Sequence, residues 1–244
     1  MTKKFIADAI RESNVLVYYQ PIIDNKTSLI HKYEALARLQ YSNKILLPDY
    51  FFPYSKKIGF YNIIAKKILM KIFSDLRFFS KMHVSINIGM EEMLDLEYIR
   101  LFMSELKTID KASRVTVEMV EHEKIDFSRV IFFLQALKEA GVKISLDDFG
   151  SGYANFSSLS KINFDYIKID GSIICNLFHK SNIAIVKFIT EYSKDNKIKT
   201  IAEYVENIDL HKKVSRMDID YSQGFYVGEP EPMMKDINRK NIIL

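Results

Sequence analysis

Residues 114–147, RVTVEMVEHEKIDFSRVIFFLQALKEAGVKISLD, contain the pattern that decides the fold. The stretch begins with a strand-length apolar run at Arg114–Val120 and ends with another at Val142–Asp147. Between them, Ser128–Ala140 has the length and apolar spacing of an amphipathic helix. A strand, a helix and a second strand in this order are typical of a parallel sheet.

The same alternation continues through nearly the whole chain. We predict strands near Val15–Gln20, Leu29–Arg38, His83–Ile88, Arg114–Val120, Val142–Asp147, Asp165–Asp170, Ile198–Glu203 and Ile219–Tyr226. We predict helices at Thr2–Ser13, Pro48–Ile58, Tyr61–Phe79, Leu96–Lys107, Ser128–Ala140, Ala154–Lys161, Asn182–Asp195 and Asn207–Met217. Eight strands in this length favour a closed (β/α)₈ barrel, an α/β fold of the TIM type, over an open doubly wound sheet.

The first two strands depart from this pattern. Asp24-Asn25-Lys26 reads as a tight turn, which predicts an antiparallel hairpin and so an antiparallel first strand. No linker, repeat or low-complexity stretch interrupts the chain, so we predict a single domain over residues 1–244.

Composition excludes several classes of protein. A chain of 244 residues that is 48% hydrophobic and 27% charged is neither disordered nor fibrous. The longest uncharged stretch, Phe149–Ser160, is too short and too polar to cross a membrane. The one cysteine, Cys175, excludes an intrachain disulfide and a Cys-based zinc site, which suits the cytoplasm. A net charge of +4 is too mild to indicate binding to a nucleic-acid polymer.

Polar side chains recur on one face of the predicted strands, near their C-terminal ends. Because side chains two apart share a face, Asn87, Glu118 and Asp147 oppose the apolar residues of their strands. In a barrel this face points along the axis and ends at the rim where active sites of this fold are built. Glu34 and Glu203 can join the same ring.

Each of these groups, taken alone, is an ordinary solvated or capping side chain, and only their number changes the interpretation. Six would converge on one rim: Glu34, Asn87, Glu118, Asp147, Asp148 and Glu203. Five neighbouring carboxylates cannot all stay ionised without positive charge, so either several are protonated or divalent cations bind. An all-oxygen set suits Mg²⁺ or Mn²⁺ and not zinc.

Asp147 and Asp148 are adjacent in the sequence. Neighbours on a regular strand face opposite ways, so both reach one site only where the strand ends, and Gly150 and Gly152 supply a turn there. Asp147 could then bridge two ions while Asp148 holds the second. Such ions lie ~3.5–4 Å apart and stabilise the attacking and leaving oxygens of a phosphoryl displacement.

The ordered motifs resemble those of the EAL-domain cyclic di-GMP phosphodiesterases. Glu34-Ala35-Leu36-Ala37-Arg38 resembles the Glu-Ala-Leu signature of that family. Seven further blocks recur in the family's order: Tyr19-Gln20-Pro21, Ser85-Ile86-Asn87, Glu118-Met119-Val120-Glu121, Asp147-Asp148-Phe149-Gly150-Ser151-Gly152-Tyr153, Asp165-Tyr166-Ile167-Lys168-Ile169-Asp170, Ala202-Glu203-Tyr204-Val205-Glu206, and Gln223-Gly224-Phe225 with Pro230. The resemblance covers about Val15 to Pro230 and implies a TIM-like barrel with a reversed first strand. One departure is Tyr204, where the family most often has Gly.

The resemblance also implies a role for each matching residue. The first ion would be held by Glu34, Asn87, Glu118 and Asp147, and the second by Asp147, Asp148 and Glu203. The catalytic residues would be Lys168, which orients and helps activate the attacking water, with Asp148 and Glu203. The substrate would be bound by Gln20, Leu36, Arg38, Asp170, Gln223, Phe225 and Pro230, with Arg38 on a phosphate. Glu121 would anchor the Asp-Phe-Gly loop, and Glu206 would lie around the active centre.

These roles predict hydrolysis of cyclic di-GMP to linear 5′-pGpG with two Mg²⁺ or Mn²⁺ ions, Ca²⁺ being inhibitory. Two nearby cations would lower the pKa of Lys168. The alternatives are a catalytically weak EAL domain that acts as a cyclic di-GMP receptor, and another metal-dependent barrel phosphoesterase. The family further implies a homodimer. We expect sensor or cyclase domains upstream in a longer signalling protein, where any membrane anchor would also lie.

Overall fold

A computed structural model describes residues 6, 8, 14–41, 44–119, 127–151, 159 and 162–233. The strands are β1 (Val15–Asp24), β2 (Ile30–Tyr41), β3 (Lys44–Leu46), β4 (Val84–Ile88), β5 (Val115–Met119), β6 (Lys143–Phe149), β7 (Tyr166–Ile169), β8 (Lys199–Ala202), β9 (Tyr221–Gln223) and β10 (Glu231–Pro232). The helices are α1 (Pro48–Lys57), α2 (Tyr61–Phe78), α3 (Met90–Leu94), α4 (Leu96–Leu106), α5 (Phe127–Glu139), α6 (Gly171–Ile174), α7 (Lys180–Asp195) and α8 (Ile208–Ser215), with a 3₁₀ turn at Ala112–Arg114.

Eight of the strands close into a barrel. Around the ring they follow the order β1-β9-β8-β7-β6-β5-β4-β2, and β2 pairs with β1 to close it. Strand β1 is antiparallel to both neighbours, whereas the other pairs within the ring are parallel. The short strands β3 and β10 extend β2 and β1 outside the ring. The predicted (β/α)₈ barrel with an antiparallel first strand is therefore confirmed.

Most predicted elements lie within a few residues of the observed ones. Strand β1 extends four residues beyond the predicted end, and helices α3 and α6 were not expected, since each is too short to carry a periodic apolar pattern. The predicted helices Thr2–Ser13 and Ala154–Lys161 lie mostly outside the described residues.

The main core lies between the barrel wall and the helices. Phe73 on α2 and Phe102 on α4 are fully buried, with their rings 5.6 Å apart at 87°. They pack with the outward-facing apolar residues of the strands, such as Val84 and Val117. Because this face is fully covered, the polar face of each strand is left to line the barrel interior.

A buried arginine fastens the end of α2. Arg114 donates to the carbonyl oxygens of Leu76, Phe79 and Met82 at 2.5–2.9 Å, and to Asp110. The bond to Leu76 reaches a carbonyl in the last turn of α2, where carbonyls have no intrahelical partner. Within the described part of the chain, no helix is both long and apolar enough to cross a membrane.

Candidate active site

The inward-facing polar side chains meet at one end of the barrel. They come from successive strands in register, as Asn87 on β4 lies beside Glu118 on β5. The predicted metal ligands and the lysine are all brought to this end: Glu34, Asn87, Glu118, Asp147, Asp148, Lys168 and Glu203. Above them a cavity of about 500 Å³ opens to solvent.

Lys168 occupies the centre of the group. Its side chain is 1% exposed, and its Nζ lies 2.9 Å from carboxylate oxygens of Glu118, Asp147 and Glu203. A fourth carboxylate oxygen, on Glu34, lies 3.2 Å away. One ammonium thus contacts four buried carboxylates, which is too little positive charge to offset them all.

Glu34 is fixed by neutral donors as well. Asn87 Nδ2 donates to its Oε1 at 2.6 Å, and Gln223 Nε2 donates to its Oε2 at 2.6 Å. Gln223 also donates to Gln20 Oε1 at 3.1 Å, which ties β9 to β1 beside the site. Burial opposes ionisation of Glu34, but Lys168 and these bonds hold its pKa below the usual value.

A bulge in β6 turns two adjacent carboxylates toward the same site. Asp148 has φ +53°, and the pairing of β6 with β7 shifts register between Leu146 and Phe149. The strand resumes at Phe149, which pairs with Ile169. The prediction that β6 ends at the aspartates was therefore wrong. An extra residue within the strand turns Asp147 and Asp148 toward the same site, and the strand continues beyond them.

The electrostatics of the site show how crowded the carboxylates are. Burial, with added repulsion from Glu118 and Glu34, raises the pKa of Asp147 to about 7 although Lys168 opposes it. Burial also raises the pKa of Glu203 well above its usual value. Burial would lower the pKa of Lys168, but the four carboxylates raise it well above the usual value. The carboxylates in contact with Nζ set this direction.

The carboxylates form two groups that fit divalent cations. Oxygen atoms of Glu34, Glu118 and Asp147 lie within 4.8 Å of one another, and so do oxygens of Asp147, Asp148 and Glu203. Glu203 Oε2 is buried with no hydrogen-bond partner among the described residues. The donors are all hard oxygens, which Mg²⁺ and Mn²⁺ prefer. The residues present therefore fit two cations that share Asp147.

The cavity wall contains most of the other predicted residues. Those that line it are Gln20, Leu36, Arg38, Glu206, Gln223, Phe225 and Pro230. Asp170 does not line it; its carboxylate accepts from the Ser172 N–H at 2.9 Å and caps α6. Glu121 lies outside the described residues.

Three residues at the site were not assigned a role from the sequence. Lys32 on β2 is 2% exposed, with Nζ 3.6 Å from Glu118 Oε1 and 3.9 Å from the centre of the Tyr166 ring. Burial lowers the pKa of Lys32 to about 8. Asp49 and Tyr204 line the cavity. The two-residue alternation that places Glu34 inward also places Lys32 inward, so that signal was present in the sequence.

This geometry defines an α/β barrel whose rim holds two acidic groups suited to divalent cations. The family model of the EAL domain matches residues 4–230, and the chain belongs to that family.

The comparison with individual proteins agrees with this membership. The cyclic di-GMP phosphodiesterase PdeB of Shewanella oneidensis is 32% identical over 237 residues, covering 93% of this chain and 28% of that protein. The cyclic di-GMP phosphodiesterase PdeA of Borreliella burgdorferi is 33% identical over 243 residues, covering 94% and 36%. A solved EAL domain protein of Listeria monocytogenes is 29% identical with a TM-score of 0.84, covering 96% of this chain and 95% of its own. The chain thus spans about a third of the length of the two curated relatives.

Proposed function

We propose that this chain hydrolyses cyclic di-GMP to linear 5′-pGpG and so controls a bacterial second messenger. The observation that carries the proposal is the pair of three-carboxylate groups that share Asp147 beneath an open cavity. Sites with two adjacent cations stabilise both the attacking and the leaving oxygen of a phosphoryl displacement. The names of the two curated relatives supply the substrate.

The cations are proposed to be two Mg²⁺ or Mn²⁺ ions. When bound, they would lower the pKa of a water molecule and neutralise charge on the phosphate. The first would be held by Glu34, Asn87, Glu118 and Asp147, and the second by Asp147, Asp148 and Glu203. Ca²⁺ is larger and takes more oxygen ligands, so we expect it to bind at the rim and to inhibit turnover.

The chain's own side chains orient the reactants. When cations take up the carboxylates that contact Lys168, its Nζ–H groups would become available to hold the attacking water. The water oxygen forms a bond to phosphorus and gives up a proton, while the bond from phosphorus to the 3′ oxygen breaks and that oxygen takes up a proton to become a hydroxyl. Arg38 is buried at the cavity wall and donates to the Ala37 carbonyl oxygen. From this position its guanidinium would neutralise charge on a phosphate bound in the cavity.

The direct test is incubation of the purified chain with cyclic di-GMP and Mg²⁺, or separately Ca²⁺, with the nucleotides resolved by chromatography. We expect pGpG with Mg²⁺ and none with Ca²⁺. Glu34→Ala should abolish turnover, while Glu191→Ala, on the exposed surface of α7, should leave it unchanged. Turnover by Glu34→Ala at the wild-type rate would contradict the metal assignment.

The same assay separates the alternatives. Tight binding of cyclic di-GMP without pGpG would favour a receptor. Preference for other phosphodiesters in a substrate panel would favour another barrel phosphoesterase.

We also propose that residues 1–244 act as one cytoplasmic domain, as a homodimer, within a longer signalling protein. The partial coverage of the curated relatives supports the larger protein. Light scattering of the purified chain would test the dimer, because a monomer at micromolar concentration would exclude it.

A further inference from the structure

Tyr204 has an unusual backbone conformation directly beside the site. It follows Glu203 and has φ +54°, a left-handed conformation that bulky residues adopt rarely. The surrounding backbone holds it there, since the Val205 N–H donates to the Gln223 carbonyl at 2.9 Å and the Val205 carbonyl accepts from the Tyr226 N–H at 3.0 Å. A strained backbone conformation that neighbouring hydrogen bonds maintain is often found at a functional site.

The Tyr204 ring is supported on one side and open on the other. It lies against Gly171, where an added Cβ atom would sit 2.4 Å from Tyr204 Cδ2. The glycine therefore leaves the space that the ring uses. Tyr204 is nevertheless 59% exposed, and it lines the same cavity as Asp148 and Glu203.

A second exposed aromatic ring stands at the same cavity. Phe225 is 64% exposed and also lines it. The two backbone hydrogen bonds of Val205 hold the Phe225 segment against the Tyr204 segment. Gly224 permits this close approach, because a Cβ atom there would lie 2.3 Å from the Val205 nitrogen. Two large aromatic side chains that remain exposed on adjacent segments offer flat surfaces to a planar ligand.

We propose that Tyr204, together with Phe225, stacks on a purine base of the cyclic dinucleotide and so sets the preference for purine over pyrimidine substrates. The inference rests on the proposed function and deepens it. Any base can stack on the face of an aromatic side chain, and a purine covers more of that face than a pyrimidine does. The left-handed conformation keeps the ring at the cavity mouth before the substrate arrives, so little ordering is required on binding.

The test compares three substitutions by calorimetric binding of cyclic di-GMP in Ca²⁺, and by KM and kcat in Mg²⁺. Tyr204→Leu and Tyr204→Gly remove the ring and should weaken binding and raise KM by about five- to a hundredfold. Tyr204→Phe keeps the ring and should stay within about twofold of the wild type. The loss should be smaller for the pyrimidine analogue cyclic di-UMP.

Melting temperature separates this role from a structural one. Tyr204→Gly relieves the left-handed strain and should melt above the wild type while it binds more weakly. Phe132→Leu, on the exposed surface of α5 outside the cavity lining, is the matched control and should change neither affinity nor KM.

The inference is overturned if Tyr204→Leu and Tyr204→Gly bind cyclic di-GMP within twofold of the wild type. It is also overturned if Tyr204→Phe loses as much affinity as Tyr204→Leu. Failure of the wild type to bind or hydrolyse cyclic di-GMP at all would instead refute the proposed function.

Discussion

Replacement of Lys168 by methionine tests the charge balance of the site. Methionine keeps the length of the side chain but removes the ammonium that contacts four carboxylates at 2.9–3.2 Å. The substitution leaves these carboxylates buried without their shared counter-charge. The variant should therefore be less stable than the wild type in a buffer that contains a chelator.

The size of the loss follows from burial. Removal of one partner from a buried ion pair costs about 3–5 kcal/mol, because the remaining charge stays desolvated. Four partners do not multiply this cost, since Asp147, with a pKa of about 7, can take up a proton instead. For a chain of this length, 1 kcal/mol shifts Tm by roughly 2–4 °C, so we expect a drop of roughly 6–20 °C.

The assay is thermal unfolding of both proteins in EDTA and again with Mg²⁺ or Mn²⁺. Cations should restore part of the lost stability by supplying positive charge, but not turnover, because the group that orients the water is gone. Lys199→Met is the control, because the Lys199 side chain is 55% exposed and its Nζ lies 2.7 Å from Asp220. Loss of this surface ion pair should cost less than about 1 kcal/mol. A melting temperature of Lys168→Met equal to that of the wild type in EDTA would refute this prediction.

Three further predictions concern the scaffold and are checked by urea unfolding. Burial lowers the pKa of His31 to about 4, below the value of 6.5 for an unperturbed histidine. As the pH falls, the unfolded state takes up the proton first, so the free energy of unfolding is highest above pH 6.5 and decreases toward pH 4. The stability of the wild type relative to His31→Gln should fall by about 1–2 kcal/mol over that range, discounted for partial exposure, and a constant difference would contradict this. Arg114→Met leaves the Leu76 and Met82 carbonyls without their side-chain donor and should cost about 1–3 kcal/mol for each, unlike Arg100→Met on the surface of α4. Asp95→Ala removes the N-cap of α4 and should cost about 1 kcal/mol, most of which Asp95→Asn should recover.

The sequence predicted the barrel and the rim because both depend on local alternation. In β4 and β6, polar residues two apart alternate with apolar ones, and that pattern alone places Asn87 and Asp147 inside and near the strand ends. The tight turn after Asp24 likewise predicted the antiparallel pairing of β1 with β2, which the structure confirms.

The remaining features depend on contacts between distant residues. The bulge at Asp148 arises from the pairing of β6 with β7, so alternation within β6 could not reveal it. The resemblance places Asp170 at the substrate, but in the structure its carboxylate caps the N-terminus of α6. A short acidic side chain beside a helix start can bond to the nearby backbone in this way. The left-handed conformation of Tyr204 is imposed by the backbone bonds of Val205, which no local pattern records.

The reversed direction of β1 decides from which side the chain enters the barrel. Leu16 lies opposite Arg38 and Val15 opposite Leu39, so the first residues of β1 stand at the end of the barrel where the cavity opens. The buried side chain of Ile6 packs into a cluster with Val15 and Leu39 at this same end. A barrel with eight parallel strands would receive its chain at the opposite end. Here Leu16, the second residue of β1, already pairs with Arg38 at the cavity wall.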